Sequence, residues 1–286
     1  MYKMRYAAPR TLTEALRLLG EEREGVYVVA GSTNVLPDLR AKKIRPSLLL
    51  SIEKLGELKG IHADGDVVTV GALTTINELL ASRDIELNAG ILHQAAQRFA
   101  DPLVRNRATI GGNLANASPA ADSAVPLLAL DAVLDICSAR GEREVPLSSF
   151  FTGPGKTVLE RDELIRAVRF PSDSENQKAF IKFGLREAMA ISLVSVGVEL
   201  RIQKDEVAYA RVAFGAVAPT PMRGFRTEEF LVGKKLTAEV LDEARQVASR
   251  EVRPISDVRA TESYRRHISG VLLGRAIKMA LGGGMS

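Results

Sequence analysis

A run of small and polar residues at positions 109–122, which contains two adjacent glycines, constrains the fold of this chain more than any other stretch. Gly111 and Gly112 permit backbone conformations, and close approaches between the backbone and a ligand, that a Cβ atom would prevent. Backbone N–H groups clustered in such a turn form a concavity that binds anions. Ser118 and Pro119 are typical of the start of a helix, and an apolar run follows them. The pattern predicts a diphosphate-binding turn in front of a helix, although a tight turn that leads into a buried helix would look similar.

A shorter glycine loop occurs earlier in the chain. Residues 26–30 are apolar and rich in valine, which predicts a buried strand, and residues 35–40 predict a short helix. Gly31 and three polar residues lie between them. The spacing matches neither the dinucleotide-binding pattern G-x-G-x-x-G nor the Walker motif. Taken alone, the loop is better explained as a plain strand-to-helix connection with Thr33 or Asn34 as the N-cap.

The distribution of charge argues against nucleic-acid binding. The formal net charge is +4, but Lys and Arg alternate with Asp and Glu along the chain. Aromatic residues make up 5% of the chain and Trp is absent, so no stacking platform for bases is predicted. Arg105 and Arg107 precede the longer glycine run, where they either balance a bound phosphate or are ordinary solvated loop residues; the sequence favours neither interpretation.

The chain has one cysteine, Cys137, and three widely separated histidines. These supply no disulfide framework and no metal-ligand spacing, so redox chemistry would need an organic cofactor or metals on other chains. No apolar run is long enough to span a membrane, and no secretory signal is visible at the N-terminus. The sequence therefore predicts a cytoplasmic protein.

The pattern of predicted elements changes near residue 172. Thr11 and Glu14 predict a capping box at the first helix, and helices and strands then alternate up to Pro171. The polar stretch 172–177 predicts a domain boundary. Beyond it we predict three strands and two amphipathic helices, at residues 179–185, 193–202, 207–216, 239–250 and 259–280.

With both glycine loops placed, residues 30–36 and 105–122 resemble the FAD-binding subunit of the molybdenum hydroxylases, the family of xanthine dehydrogenase, nicotinate dehydrogenase and carbon monoxide dehydrogenase. The resemblance extends over nearly the whole chain. The family usually shows Ala-Gly-Gly-Thr-Asp in the first loop. Here Ser32 and Asn34 replace the second glycine and the acid, and both keep the loop small and polar.

The resemblance implies an α+β fold like that of vanillyl-alcohol oxidase. A FAD-binding domain at residues 1–172 would consist of two α/β subdomains, at about 1–55 and 56–172, that hold an extended, non-covalently bound FAD. A C-terminal flavoprotein domain of antiparallel sheet and helix bundle would follow at 177–286.

The resemblance also implies which residues bind the cofactor. Two loops would hold the diphosphate and ribityl chain, polar residues would line the flavin site, an aromatic and an aliphatic residue would contact the ring, and a lysine would reach back from the C-terminal domain. The loop residues are Val29, Ala30, Gly31, Ser32, Thr33, Asn34 and Val35 in the first loop and Thr109, Gly111, Gly112 and Asn113 in the second. The polar residues are Asn116 and Asp122, the aromatic and aliphatic residues are Phe99 and Ile165, and the lysine is Lys182.

In this family the chain would be an electron-transfer subunit without catalytic residues or metals of its own. The resemblance implies a small partner with 2Fe-2S clusters and a large partner with molybdopterin, in a dimer of heterotrimers. Electrons would pass through FAD to an acceptor such as NAD. Relatives that use NAD carry acidic residues after the arginine that matches Arg186; here Glu187 is followed by Ala188, so the acceptor stays open.

Two other functions stay open at this point. One is an FAD-binding protein without turnover that serves assembly or regulation. The other is a stand-alone flavin oxidoreductase of the related fold, which would need a substrate-side acid or hydroxyl that the sequence does not identify.

Overall fold

The computed structural model describes residues 4–22, 24–172, 175–186 and 189–283. The strands, in chain order, are β1 (Arg5–Ala7), β2 (Val26–Val29), β3 (Leu48–Ser51), β4 (Ile61–Asp64), β5 (Val67–Gly71), β6 (Val133–Ser138), β7 (Gly141–Pro146), β8 (Phe151–Gly153), β9 (Lys156–Thr157), β10 (Leu164–Pro171), β11 (Gln177–Phe183), β12 (Val194–Gln203), β13 (Glu206–Gly215) and β14 (Met222–Arg223). The helices are α1 (Leu12–Glu21), α2 (Val35–Arg40), α3 (Ile76–Ala81), α4 (Arg83–Asn88), α5 (Gly90–Gln97), α6 (Pro102–Arg105), α7 (Ile110–Ala115), α8 (Ala124–Ala129), α9 (Phe225–Leu231), α10 (Ala238–Glu251) and α11 (Glu262–Ala280).

Three sheets organise the chain, in agreement with the expected α+β class. The first is parallel, with strand order β1-β3-β2, and α1 and α2 form its crossovers. The second is antiparallel, with order β4-β5-β10-β6-β7, and the third is antiparallel, with order β11-β12-β13-β14. Strands β8 and β9 form a small separate ribbon. The parallel sheet places the loop after β2 at the carboxyl edge of its strands, where ligands bind in open α/β sheets.

Three groups of buried side chains form the cores. One joins α1 to β3 and also takes in Cys137 and Leu164 from the second sheet. The second packs α3, α5, α7 and α8 against β5, β6 and β10, and it includes Phe180 and Ala213 from the C-terminal sheet. The third packs α10 and α11 against β11, β12 and β13. Because the first two cores include side chains from a neighbouring sheet, the glycine loops lie on a rigid frame.

The first helix begins where the sequence predicts, with a different hydrogen bond. Thr11 is the N-cap of α1 and its hydroxyl accepts from the N–H of Glu14 at 3.2 Å. The Glu14 carboxylate does not return this bond to Thr11; it accepts from the N–H of Arg10 at 3.1 Å. A complete capping box occurs instead at α3, between Thr75 and Glu78.

The predicted helix over the apolar run exists as α8, but its predicted start at Ser118 and Pro119 is wrong. Residues 118–122 form turns, and α8 begins only at Ala124. The Ser118 hydroxyl accepts from the N–H of Ala120, two residues on, at 3.2 Å. A serine side chain that closes such a local turn competes with helix capping. The helix in this region forms earlier, as α7, over the glycines themselves.

The C-terminal elements follow the predicted order. The hairpin between β12 and β13 turns at Lys204 and Asp205, whose φ angles are 51° and 65°, as a type I′ turn requires. Helix α11 begins at Glu262 and not at 259, because the Asp257 side chain accepts the N–H groups of Arg259 and Ala260 in a turn. The sequence did not predict α9.

Charged and polar contacts join the C-terminal sheet to the preceding domain. Asp131, after α8, accepts from Arg211 at 2.7 Å and from the buried guanidinium of Arg223. The N–H of Phe180 donates to the Gln94 side chain at 2.8 Å. The division at 1–172 and 177–286 stays a prediction: β10 ends at Pro171 and β11 begins at Gln177, and positions 173 and 174 lie outside the described residues. In the part of the chain that the structure describes, no helix is long and apolar enough to cross a membrane.

Candidate functional site

The loop after β2 has backbone N–H groups that donate to no acceptor in the described part of the chain. Ser32 adopts a left-handed conformation with φ 65°, and Leu36 N–H donates to the Ser32 carbonyl at 3.3 Å as α2 begins. Over the described residues, the N–H groups of residues 31–34 have no protein acceptor. Asn34 precedes α2 without a side-chain cap. Unpaired N–H groups on successive residues are the donors that bind an anion.

The second glycine run differs from the open turn that the sequence predicts. Thr109 is the N-cap of α7 and accepts from Gly112 N–H at 3.1 Å, and Gly111 N–H donates to the Ala72 carbonyl at 2.9 Å. These donors are therefore already paired. A Cβ on Gly111 would lie 2.6 Å from the Ala72 Cβ, so this glycine is needed for close packing. Gly112 is exposed, and a Cβ there would lie 2.7 Å from Thr109 Oγ1 and 4.0 Å from the Ala30 Cβ in the first loop.

The structure brings the two glycine loops into contact. A Cβ on Gly31 would lie 1.7 Å from the carbonyl oxygen of Arg107, so the backbones of the two segments touch there. The Arg107 side chain forms an ion pair with Glu53 at 2.6 Å, and this hydrogen bond lowers the pKa of Glu53. Arg105 donates to the Phe99 carbonyl at 2.9 Å. Both arginines thus have protein partners beside the loops.

A buried ionic cluster forms around Asp122, which follows α7 in the chain. Asp122 Oδ2 accepts from Lys182 Nζ at 2.6 Å, and its Oδ1 accepts from the Ser192 hydroxyl at 2.8 Å. Lys182 also donates to the Arg98 carbonyl at 3.2 Å, next to Phe99. Burial raises the pKa of the Asp122 carboxyl, while the Lys182 charge and the hydrogen bonds from Lys182 and Ser192 act in the opposite direction. The cluster joins the turn before α8 to β11 and to the residues that precede β12.

The remaining candidate residues lie in different surroundings. Asn113 accepts from the Ser123 hydroxyl at 2.6 Å, and Asn116 is exposed at the end of α7. Phe99 and Ile165 are buried in the second core, Phe99 beside the ionic cluster and Ile165 on β10 opposite Ile136. Most of the candidates therefore form two groups, the paired loops and the residues around Asp122, while Ile165 lies apart on β10.

The sequence did not point to Ser192, which contacts Asp122 in the ionic cluster, or to Glu53, which pairs with Arg107 beside the glycine loops. A single serine after an exposed segment belongs to no motif and no periodic pattern, so only the folded chain reveals its partner. Among the described residues, no group of three or more His, Cys, Asp or Glu side chains could hold a metal ion.

Comparison with known proteins identifies the family. Residues 2–173 match the family model of the FAD binding domain in molybdopterin dehydrogenase, and residues 179–280 match the CO dehydrogenase flavoprotein C-terminal domain. The chain belongs to the FAD-binding subunits of the molybdenum hydroxylases. This flavoprotein is an oxidoreductase subunit with FAD as its cofactor, as the resemblance implied.

Individual relatives match this FAD-binding subunit over almost its full length. The xanthine dehydrogenase FAD-binding subunit of Escherichia coli O157:H7 is 34% identical over 279 residues, covering 96% of this chain and 95% of the relative. The carbon monoxide dehydrogenase medium chain of Hydrogenophaga pseudoflava is 31% identical, covering 97% of each. Among solved structures, carbon monoxide dehydrogenase from Hydrogenophaga pseudoflava aligns with a TM-score of 0.95 at 31% identity over 98% of both chains. Quinoline 2-oxidoreductase from Pseudomonas putida 86 aligns with a TM-score of 0.92 at 28% identity, covering 98% of this chain and 97% of the other.

Proposed function

We propose that this subunit passes electrons from metal centres on partner subunits, through FAD, to a soluble acceptor. The observation that carries the proposal is the row of unpaired N–H groups at residues 31–34, which lies against a second glycine run. A bound flavin supplies chemistry that side chains lack, because it can take up electrons singly or in pairs and release them to a different partner.

The first loop is the better candidate for the diphosphate. Its four backbone donors belong to consecutive residues and find no acceptor in the part of the chain that the structure describes, whereas Gly111 and Gly112 in the second run donate to protein acceptors. The two runs would have different tasks. The first would bind the phosphate oxygens, and the exposed face of Gly112 would leave room for the cofactor beside Ala30.

The residues around Asp122 suit the flavin end of the site. Phe99 offers an aromatic ring, and the Asp122–Lys182 pair offers a fixed charge pair with little solvent around it. A ring system of mixed polarity needs such apolar contact together with a few positioned polar groups. We propose that Ile165 adds apolar contact and that Asn113 and Asn116 complete the polar lining.

Partners and acceptor belong to the same proposal. Relatives are named as chains of larger enzymes, among them a glyceraldehyde dehydrogenase medium chain and a 6-hydroxypseudooxynicotine dehydrogenase complex subunit. We propose a small iron–sulfur subunit and a large molybdopterin subunit, assembled as a dimer of heterotrimers in the cytoplasm. NAD is the proposed acceptor; Glu187 and Ala188, on which the sequence argument about the acceptor depends, lie outside the described residues.

The test begins with the isolated chain. FAD-free protein mixed with FAD should show the absorption bands of a bound flavin at one FAD per chain, and no such binding would overturn the proposal. The variant Gly112→Leu should fail to bind FAD, because its Cβ would crowd the Thr109 hydroxyl at 2.7 Å and the rest of the side chain would project into the space beside Ala30. Its control is Gly56→Leu, at an exposed position with no atom within 4 Å of the added Cβ.

The electron-transfer step is tested in the complete enzyme. The chain is co-purified with the products of neighbouring iron–sulfur and molybdopterin genes, and reducing substrate is added anaerobically. The flavin should be reduced only when all three subunits are present. A flavin that stays oxidised would indicate a non-catalytic binding partner, and substrate turnover by the isolated chain would indicate a stand-alone oxidoreductase.

A further inference from the structure

Ser192 lies two residues before β12, and Leu185, Met189 and Ile191, which precede it in the chain, are exposed. Ser192 itself is 2% exposed, and its hydroxyl donates to Asp122 Oδ1 at 2.8 Å. A buried serine at the end of an exposed segment is thus joined to a buried carboxylate of the preceding domain.

Each oxygen of the Asp122 carboxylate has its own donor. Ser192 occupies Oδ1 and Lys182 occupies Oδ2 at 2.6 Å. Lys182 makes a second bond, to the Arg98 carbonyl at 3.2 Å, and Arg98 directly precedes Phe99. The position of the ammonium group therefore depends on the orientation of the carboxylate, which the serine hydroxyl restricts.

The charges in this cluster depend on the same hydroxyl. Asp122 and Lys182 have side chains that are 11% and 9% exposed, so solvent screens them little. Burial favours the neutral acid of Asp122, and the hydrogen bond from Ser192 is one of the contacts that favour its charged form. Removal of the hydroxyl would leave a buried carboxylate oxygen without a partner, which disfavours the charged form.

We propose that Ser192 is a positioning residue for the flavin end of the site, which acts through Asp122 to hold Lys182 against the Arg98 carbonyl. This inference rests on the proposed function, because it concerns the same FAD site. Ser192 has no direct part in binding the cofactor in this proposal. Its effect reaches the site through the orientation and charge of the Asp122–Lys182 pair.

The inference predicts a direction for the reduction potential. Without the serine hydroxyl, Asp122 takes up a proton more readily, and the cluster around Lys182 gains positive charge. A more positive environment favours the electron-rich reduced flavin. Ser192→Ala should therefore shift the reduction equilibrium about tenfold toward reduced FAD, which corresponds to ~30 mV for a two-electron couple.

The experiment compares reconstituted wild-type chain with Ser192→Ala, Ser192→Cys and the control Ser269→Ala. Ser269 is a fully buried serine of α11 that donates one bond, to the Arg265 carbonyl at 2.7 Å. Cysteine fills the space of the serine side chain but is a weak donor. Midpoint potentials are measured at saturating FAD by equilibration with reference dyes, and the unfolding of each FAD-free variant is followed by calorimetry.

The potential should rise in both Ser192 variants and stay at the wild-type value in Ser269→Ala. Equal potentials in Ser192→Ala and Ser269→Ala would overturn the inference. So would a wild-type potential in Ser192→Cys, since volume and not the hydrogen bond would then be decisive; this variant also decides the matter if the alanine variant does not fold. Failure of the wild-type chain to take up FAD would reject the proposed function itself, a separate result.

Discussion

Replacing Gly31 by alanine is expected to force the two glycine loops apart. The added Cβ would lie 1.7 Å from the Arg107 carbonyl oxygen and 2.5 Å from the carbonyl carbon, whereas ordinary contact begins at 3.4 Å. The carbonyl cannot simply rotate away. Arg107 N–H donates to the Val104 carbonyl at 3.0 Å and Ala108 N–H to the same oxygen at 2.7 Å, so this backbone is held in a turn.

The size of the effect follows from which atoms collide. Added methyl groups in packed sites cost about 1–3 kcal/mol, and a collision with backbone belongs at the upper end of that range. A loss of ~3 kcal/mol lowers the Tm of a domain of this size by roughly 6–12 °C. Gly20→Ala is the matched control. Gly20 lies in α1, has no atom within 4 Å of an added Cβ, and should gain ~0.5–1 kcal/mol.

Two measurements check the Gly31 prediction. Calorimetry of FAD-free protein gives the Tm of wild type, Gly31→Ala and Gly20→Ala, and absorbance of reconstituted protein gives the FAD content. Gly31→Ala should lose both stability and FAD, and Gly20→Ala should keep both. If Gly31→Ala unfolds at the temperature of the control and binds one FAD per chain, the close contact between the loops does not exist as described.

Three further predictions concern single contacts. Thr109→Ala removes the cap on Gly112 N–H and should lower the free energy of unfolding by ~1 kcal/mol in urea titrations, while Thr109→Ser should stay near wild type. Hydrogen bonds from Arg143 lower the pKa of Glu163 in the folded chain. The pair therefore stabilises the fold at pH values above the pKa of Glu163 in the unfolded chain, and this stabilisation is lost as the pH falls through the lower pKa of Glu163 in the folded chain. Because Arg143 is partly solvated, Glu163→Gln should lower the free energy of unfolding by about 1–2 kcal/mol at pH 7. The difference in free energy of unfolding between the variant and wild type should vanish in strong acid, and a difference that stays constant with pH would contradict this. Burial raises the pKa of Cys137 to about 11, so a thiol reagent at pH 8 should label it only as fast as the chain unfolds, and rapid labelling of native protein would show the thiol to be accessible.

Local sequence patterns correctly predicted the elements that depend on residues close to one another in the chain. The valine-rich strand before Gly31, the hairpin at Lys204 and Asp205, and the cap at Thr11 all depend on residues within a few positions of one another. The start of α8 was misplaced because Ser118 has two local options, a helix cap and a turn. Periodicity cannot rank these options, since their balance depends on tertiary contacts of the neighbouring residues.

The candidate site shows the same limit at longer range. Both glycine loops are visible in the sequence, but which of them keeps free donors is not. Gly111 loses its N–H to Ala72, and Ala72 belongs to the loop after β5, about forty residues earlier in the chain. Likewise, Ser192 becomes relevant only because β12 follows it and places it beside Asp122, seventy positions away.

The contacts of Asp131 restrict the route by which a cofactor can enter the folded chain. This one carboxylate receives arginines from two strands of the C-terminal sheet, and Arg223 is almost wholly buried, so swinging that sheet aside would break both of these ion pairs at once. The two glycine loops meet at a seam whose ion pair, Arg107 with Glu53, is half exposed, so water can readily replace it. Entry and escape of the cofactor should therefore proceed along that seam, and added salt should hasten exchange there while the C-terminal sheet stays in place.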